Sequence, residues 1–224
     1  GRALLDRGDL GAPACNDCHG NHAAMPPEIS NVSQVCRTCH AGNGELFDGS
    51  KHKLAFERNG WPECERCHGN HAIDDTDDSM LSEASNPLCY ECHREYAQDN
   101  PQCIETAKFF HASITSLAHE SGELDELIHP LASRGLDVDP LTAAAGELRD
   151  ILRQSRSQIH AFDRSEFAAL EARGLETVEA GRAAVSEAEA EYRFRRNGLF
   201  AAVGIMLFLA AVLYLKIREI ESGP

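Results

Sequence analysis

Nine cysteines lie before residue 104, and eight of them form four pairs with two residues between partners. Each pair is followed at once by a histidine: Cys15-Asn-Asp-Cys18-His19, Cys36-Arg-Thr-Cys39-His40, Cys64-Glu-Arg-Cys67-His68 and Cys89-Tyr-Glu-Cys92-His93. Two thiols at this spacing can add to the two vinyl groups of a haem as thioethers, and the adjacent imidazole then reaches the iron from one face. C-x-x-C-H is the attachment pattern of c-type haem. A pair of zinc ribbons would also use C-x-x-C pairs about seventeen residues apart, but it has no use for a histidine after each second cysteine. A disulfide framework would not require such even spacing. The chemistry expected is therefore four covalent c-type haems, held through Cys15, Cys18, Cys36, Cys39, Cys64, Cys67, Cys89 and Cys92. His19, His40, His68 and His93 are the proximal iron ligands in this reading.

The four sites read as two copies of one unit. Cys18-His-Gly-Asn-His-Ala23 recurs letter for letter as Cys67-His-Gly-Asn-His-Ala72, and each copy is followed by a plainer site at Cys36 or Cys89. A period of about fifty residues points to duplication of a dihaem module, about 12–60 and 61–103. An iron with one protein ligand is open to small molecules, whereas one with two is saturated and suits electron transfer. The eleven histidines, less the four proximal ones, leave His22, His52, His71, His111, His119, His129 and His160 as distal candidates. His22 and His71 sit three residues after a proximal histidine, too close to reach the far face of the same haem, and are expected to ligate a neighbouring one. His52, in Ser50-Lys-His-Lys, is expected on a loop between the modules. His111, in Phe109-Phe-His-Ala-Ser, is favoured as the fourth ligand, with His160 the alternative, because a helical hairpin turning near residue 137 sets residue 160 beside residue 114. His119 and His129 read as solvated helix positions.

The doubled C-x-x-C-H-G-x-H module, the intervening Ser-x-His and the acidic stretch after the second module resemble the multihaem c-type cytochromes of the class III (c3-like) and nitrite/hydroxylamine-related kind. The resemblance spans roughly residues 12 to 111. It implies bis-histidine haems in close, partly stacked pairs and a role in electron transfer. The chain departs from the small soluble members by adding more than a hundred helical residues and a hydrophobic tail.

The net charge is −15, and about −9 of it falls before residue 104. An acidic chain without a basic patch is a poor match for nucleic acid. Redox partners that dock electrostatically would present basic surfaces. Asp74-Asp-Thr-Asp-Asp78 reads as a solvated loop before an acidic docking patch or cation site. Cys103 reads as a packed free thiol, and Trp61-Pro62 as residues that pack on a porphyrin.

From Ile104 the apolar residues recur at helical spacing: Ile104, Ala107, Phe110, Ile114, Leu117, Ala118, Leu124, Leu127, Ile128 and Leu131. Arg134-Gly135 ends this helix, and Asp139-Pro140 opens the next as N-cap and first helical residue. The second stripe runs Leu141, Ala144, Ala145, Leu148, Ile151, Leu152, Ile159 and Phe162. Asp163-Arg-Ser-Glu and Arg173-Gly174 are candidate interruptions before a helix-prone stretch that leads into Gly198–Leu215. Those eighteen uncharged residues reach ~27 Å as a helix, near the hydrocarbon thickness of a bilayer. Arg193, Arg195 and Arg196 flank one end, Lys216 and Arg218 the other.

The fold class expected is mainly α. A loop-rich tetrahaem domain organised by covalent haems (1–103) precedes an α-helical hairpin or stalk (104–196), one transmembrane helix (197–218) and a short cytoplasmic tail (219–224). Haem attachment takes place outside the cytoplasm, so the haem domain is expected on the periplasmic side of a bacterial or archaeal cytoplasmic membrane. No signal peptide is visible at Gly1, and a targeting segment is expected to have been removed or to lie outside the sequence. The function expected is electron transfer between a membrane or periplasmic donor and a redox protein partner, within a membrane complex of a respiratory or photosynthetic chain. No catalytic residue of its own is expected. The alternatives are a quinol dehydrogenase feeding a periplasmic reductase and, behind it, a haem-based nitrogen or sulfur oxyanion reductase.

Overall fold

The computed structural model describes residues 5–9, 11–21, 32–71, 73, 76–82, 88–93 and 101–223. Among these the chain is helical, with no β-strand. Two compact units can be distinguished, one of Gly1–His119 with Arg149–Leu175, the other of Glu120–Leu148 with Glu176–Pro224.

In the first unit three cysteine motifs lie on short helices, α1 (Cys15–His19), α5 (Cys64–His68) and α6 (Leu88–His93), while α2 (Val32–Cys36) ends at the first cysteine of the other motif and α3 (Ala41–Asp48) and α4 (Lys51–Asn59) follow it. Helices of five or six residues do not hold themselves in water. Few apolar side chains are available to hold them here: before residue 104, only Ala12, Val35 and Phe56 are buried hydrophobics among the described residues. What ties them is mutual packing, α1 on α2, α2 on α5, α3 on α4, and α6 on a 3₁₀ turn at Asp78–Leu81. His52 was expected on a loop, but Ser50 accepts the Lys53 N–H at 3.3 Å as the N-cap of α4 and so draws His52 into the helix.

The aliphatic core begins where the composition changes. Helix α7 (Gln102–Ser133), α8 (Asp139–Gln158) and α9 (Arg164–Glu221) carry it. Within the first unit Phe110 and Phe167 meet with ring centroids 4.4 Å apart, over Ile114, Leu117 and Ile151, all fully buried. Within the second, Leu124, Leu131, Leu141, Ala145, Leu148 and Val178 are buried. Most of the apolar stripe is thus inside. Leu127 and Phe162 are exposed instead, Phe162 because α8 stops at Gln158 and the chain enters a 3₁₀ turn, Ile159–Ala161, before reaching it.

The hairpin turn falls at 134–138, with Gly135 at φ +71°. Asp139 is the first residue of α8 rather than its cap. Asp137 takes the capping part, its Oδ1 accepting the Asp139 N–H at 3.0 Å. The break before α9 is at Phe162, and Asp163 caps α9 by accepting the N–H groups of Ser165 (2.8 Å) and Glu166 (3.1 Å). Arg173-Gly174 is no interruption. Gly174 lies mid-helix where a Cβ would meet Leu117 Cδ2 at 2.8 Å, so its job is close helix approach.

From Arg193 to Gly223 every residue of the chain is exposed, the apolar run Gly198–Leu215 included. A buried core helix would show the opposite. This uncovered helix is long and apolar enough to cross a membrane once, consistent with a single span.

Two glycine substitutions separate these causes. Gly174→Ala should destabilise the fold by about 1–3 kcal/mol, since Leu117 must move in a filled core. Gly122→Ala on α7, where nothing lies within 4 Å of the new Cβ, should stabilise it by about 0.5–1 kcal/mol. Denaturant titration of both variants reads the difference.

Candidate haem-ligating site

In each C-x-x-C-H segment the second cysteine and the histidine follow the first by three and four positions, so a single helical turn presents all three on one face. The helix must then stop, and the repeated glycine stops it. Gly20 and Gly69, next to His19 and His68, adopt φ +69°, ψ −178° and φ +75°, ψ −175°. That region is essentially closed to residues with a Cβ. The two copies of Cys-His-Gly-Asn-His-Ala thus share a backbone device as well as letters.

Three of the four proximal histidines face a second imidazole. His19 lies with its ring centroid 5.9 Å from that of His71, the planes inclined at 27°. His68 and His160 are 6.1 Å apart at 24°, and His93 and His52 are 5.9 Å apart at 87°. With a metal–imidazole bond of about 2.0 Å on each side, two rings sharing one iron have centroids roughly 6 Å apart. The three pairs are at a spacing compatible with one metal between the rings, a spacing that ordinary ring contacts also reach.

The surroundings of two of the opposing rings are informative. His160 Nδ1 lies 2.9 Å from the Ser157 carbonyl oxygen. That oxygen can only accept, so Nδ1 carries a proton, which leaves Nε2 as the nitrogen a metal would take. His52 is largely enclosed. Phe162 covers it at 3.9 Å and Phe56 meets it edge-on, while its Nδ1 is buried with no hydrogen-bond partner. Burial, followed by the nearby His93, pushes its pKa down to about 4, so it is a neutral imidazole at neutral pH. Burial, then His160 and His40, lowers His68 likewise. Neutral rings are what metal ligation requires. Burial also raises Cys64 and Cys67 to about 11, keeping the thiols protonated.

A charge network joins the two modules. Glu63, one residue before Cys64, pairs with Lys53 of α4 and with Arg37 at 2.7 Å, and Arg37 also holds Asp48 at 2.6 Å. Ser33 of α2 donates to Glu65 of α5 and accepts the Glu63 N–H at 3.2 Å. These bonds fix α2, which ends in Cys36, against α5, which carries Cys64 and Cys67.

The remaining predicted positions are less gathered. His22 lies outside the described residues, as do Asp74 and Asp75. His40 is exposed, and His111 is half-buried on α7; no imidazole is paired with either among the described residues. Asp78 is no free loop carboxylate, because Arg156 holds both its oxygens, at 2.9 and 2.8 Å. Trp61 rests edge-on against Phe56 at 5.7 Å, and Cys103 is a half-buried cysteine outside any disulfide. Sequence reasoning missed Phe162, read there as one more core position of α8. It is the one non-glycine among the described residues at positive φ (+52°). Its signal was the run Phe162-Asp163, an N-cap residue straight after an aromatic.

The doubled CXXCH motif family matches residues 57–98, which hold the third and fourth attachment sites. No curated protein and no solved structure matches the chain. The matched motif and the four evenly built cysteine pairs support a c-type, multihaem cytochrome with a membrane-anchoring helix and an electron-transfer role.

Asp48 is held below the ordinary carboxylate range chiefly by its bonds to Arg37, and Glu63 is lowered by Lys53 and Arg37 despite the opposing effect of burial. Folded values below unfolded ones contribute stability above about pH 4, and this fades as pH falls through the folded values. Glu63→Gln should therefore destabilise the protein by about 2 kcal/mol at pH 7. The gap between the unfolding curves of variant and parent should narrow steadily as pH falls below about 4.

Proposed function

We propose that this chain is a tetrahaem electron conduit, anchored by Gly198–Leu215 with its haem domain on the extracytoplasmic side and its C-terminus in the cytoplasm. Bound haem supplies reversible one-electron chemistry at iron. In this reading the cysteines Cys15, Cys18, Cys36, Cys39, Cys64, Cys67, Cys89 and Cys92 hold four such groups as thioethers, and His19, His40, His68 and His93 bind from one side. His71 opposes His19, His52 opposes His93 and His160 opposes His68. His40 has two candidates for its opposite face, His22 and His111. The domain scheme stays 1–103 for the haem domain, 104–196 for the helical stalk, 197–218 for the span and 219–224 for the tail, with a redox protein complex as partner and a c3-like arrangement of close haems.

The observation that carries this is the spacing of the three imidazole pairs, near 6 Å in each case. An enzyme acting on a small oxyanion needs one face of an iron vacant. In this reading a second ring near three of the four irons would occupy the face a substrate needs, and the three facing imidazole pairs support electron transfer over reductase chemistry. His160 is supported over His111 at the His68 centre because its ring is present there and its Nδ1 meets the Ser157 carbonyl.

Substitution separates the two. His160→Ala should convert one centre to a high-spin, carbon monoxide-binding form with four haems still attached, whereas His111→Ala should leave the His68 centre low-spin. If His160→Ala remains wholly low-spin and inert to carbon monoxide, the assignment fails. The ring-plane angles add a second readout: the His52–His93 pair, near perpendicular, should give the most anisotropic low-spin resonance, and His52→Ala should remove that signal alone.

A further inference from the structure

In a chain of net charge −15, one end of the second unit gathers arginines, and two of them make no ion pair among the described residues. Arg193, Arg195 and Arg196 stand on α9 immediately before the apolar run, and all are exposed. Arg193 pairs with Glu189 at 3.6 Å and Arg195 with Glu191 at 2.5 Å. Arg196 makes no ion pair among the described residues. Its guanidinium lies 5.7 Å from the centroid of the Tyr192 ring. Arg134 approaches the same ring at 5.4 Å from a different element, the turn after α7. It likewise makes no ion pair there.

The turn is fixed in this position. Arg195 donates to the Gly135 carbonyl oxygen at 3.2 Å, tying 134–138 to the start of the span. Asp137, the nearest acid in the turn, is occupied in capping Asp139. Two guanidinia from distant parts of the sequence are therefore gathered on one aromatic ring, with Leu199 and Phe200 exposed just beyond. Simple flanking charges would need only α9. Bringing Arg134 to them costs like-charge repulsion, which the ring offsets only in part.

We propose that Arg134, Arg196 and Tyr192 form a binding site for the phosphodiester headgroup of an anionic phospholipid. Guanidinium groups present paired N–H donors that match two phosphate oxygens. A half-buried tyrosine at the base of a span belongs at headgroup depth. The ligand is a lipid rather than a free phosphate because the site is continuous with the uncovered apolar helix, along which acyl chains would lie. Its effect is to hold the hairpin turn down on the membrane surface. The inference needs the span but not the haems, so it stands apart from the electron-transfer reading.

The test uses the full chain, reconstituted in vesicles of mixed phosphatidylcholine and phosphatidylglycerol and then extracted in mild detergent. Mass spectrometry counts the lipid of each class that stays bound. The parent should retain phosphatidylglycerol preferentially, and Arg134→Gln and Arg196→Gln should each lower that preference roughly fivefold. Arg134→Lys/Arg196→Lys should retain an intermediate preference, with charge but no paired donors. Arg153→Gln/Arg182→Gln removes the same charge elsewhere and should change nothing. Equal retention by parent and Arg134→Gln/Arg196→Gln, or an equal loss in Arg153→Gln/Arg182→Gln, overturns the proposal.

Discussion

Imidazole facing imidazole at about 6 Å is the contact that links distant segments of the first unit. The helices bearing the cysteine motifs are too short to persist alone, and little apolar surface surrounds them. Each ring pair joins segments far apart in sequence, about fifty residues for His19 and His71, forty for His52 and His93, and ninety for His68 and His160. Closing such loops is costly in chain entropy, and each doubling of length adds only about 0.6 kcal/mol. With the proposed haems in place, a shared metal centre across each pair would compensate that cost, in a stretch where Ala12, Val35 and Phe56 are the buried hydrophobics among the described residues before 104.

The turn at Ile159–Phe162 joins the helical half to this arrangement. Within four residues it carries His160 to His68 and Phe162 onto His52, the ring that faces His93. Two centres thus meet one short segment. Phe162 occupies the left-handed region to do so, at a cost of about 1–2 kcal/mol for a side chain of its size. The Arg156–Asp78 pair and the capping by Asp163 hold the turn from both ends. The helices after residue 104 are therefore more than a spacer, since one of their connections supplies the imidazole that faces His68.

Much of this was legible in the residues, and the boundary is physical. The four motifs, the duplication and the apolar span follow from local spacing, which covalent chemistry and bilayer thickness constrain directly. The apolar stripes of α7 and α8 were readable for the same reason, as helical periodicity is a local property. What could not be read is where the regularity ends. Phe162 continues the stripe by count, but α8 stops at Gln158, and the residues after it turn through a conformation that no periodicity announces. His111 was favoured over His160, although the hairpin places both near the same level; the His68 ring and Ser157 carbonyl that meet His160 are tertiary details. Ser50 was taken for a loop residue, although serine before a helix-forming run is a cap, and His52 moved with it. Arg173-Gly174 looked like a helix end because glycine has two uses, and only the nearness of Leu117 shows which applies.

The central claim is that paired imidazoles cap covalently bound iron on both faces. Electron paramagnetic resonance of the oxidised full chain, with spins counted against polypeptide, tests it most directly. The account predicts low-spin ferric signals alone, integrating to four per chain. A colourless protein, or a dominant high-spin signal, would contradict it.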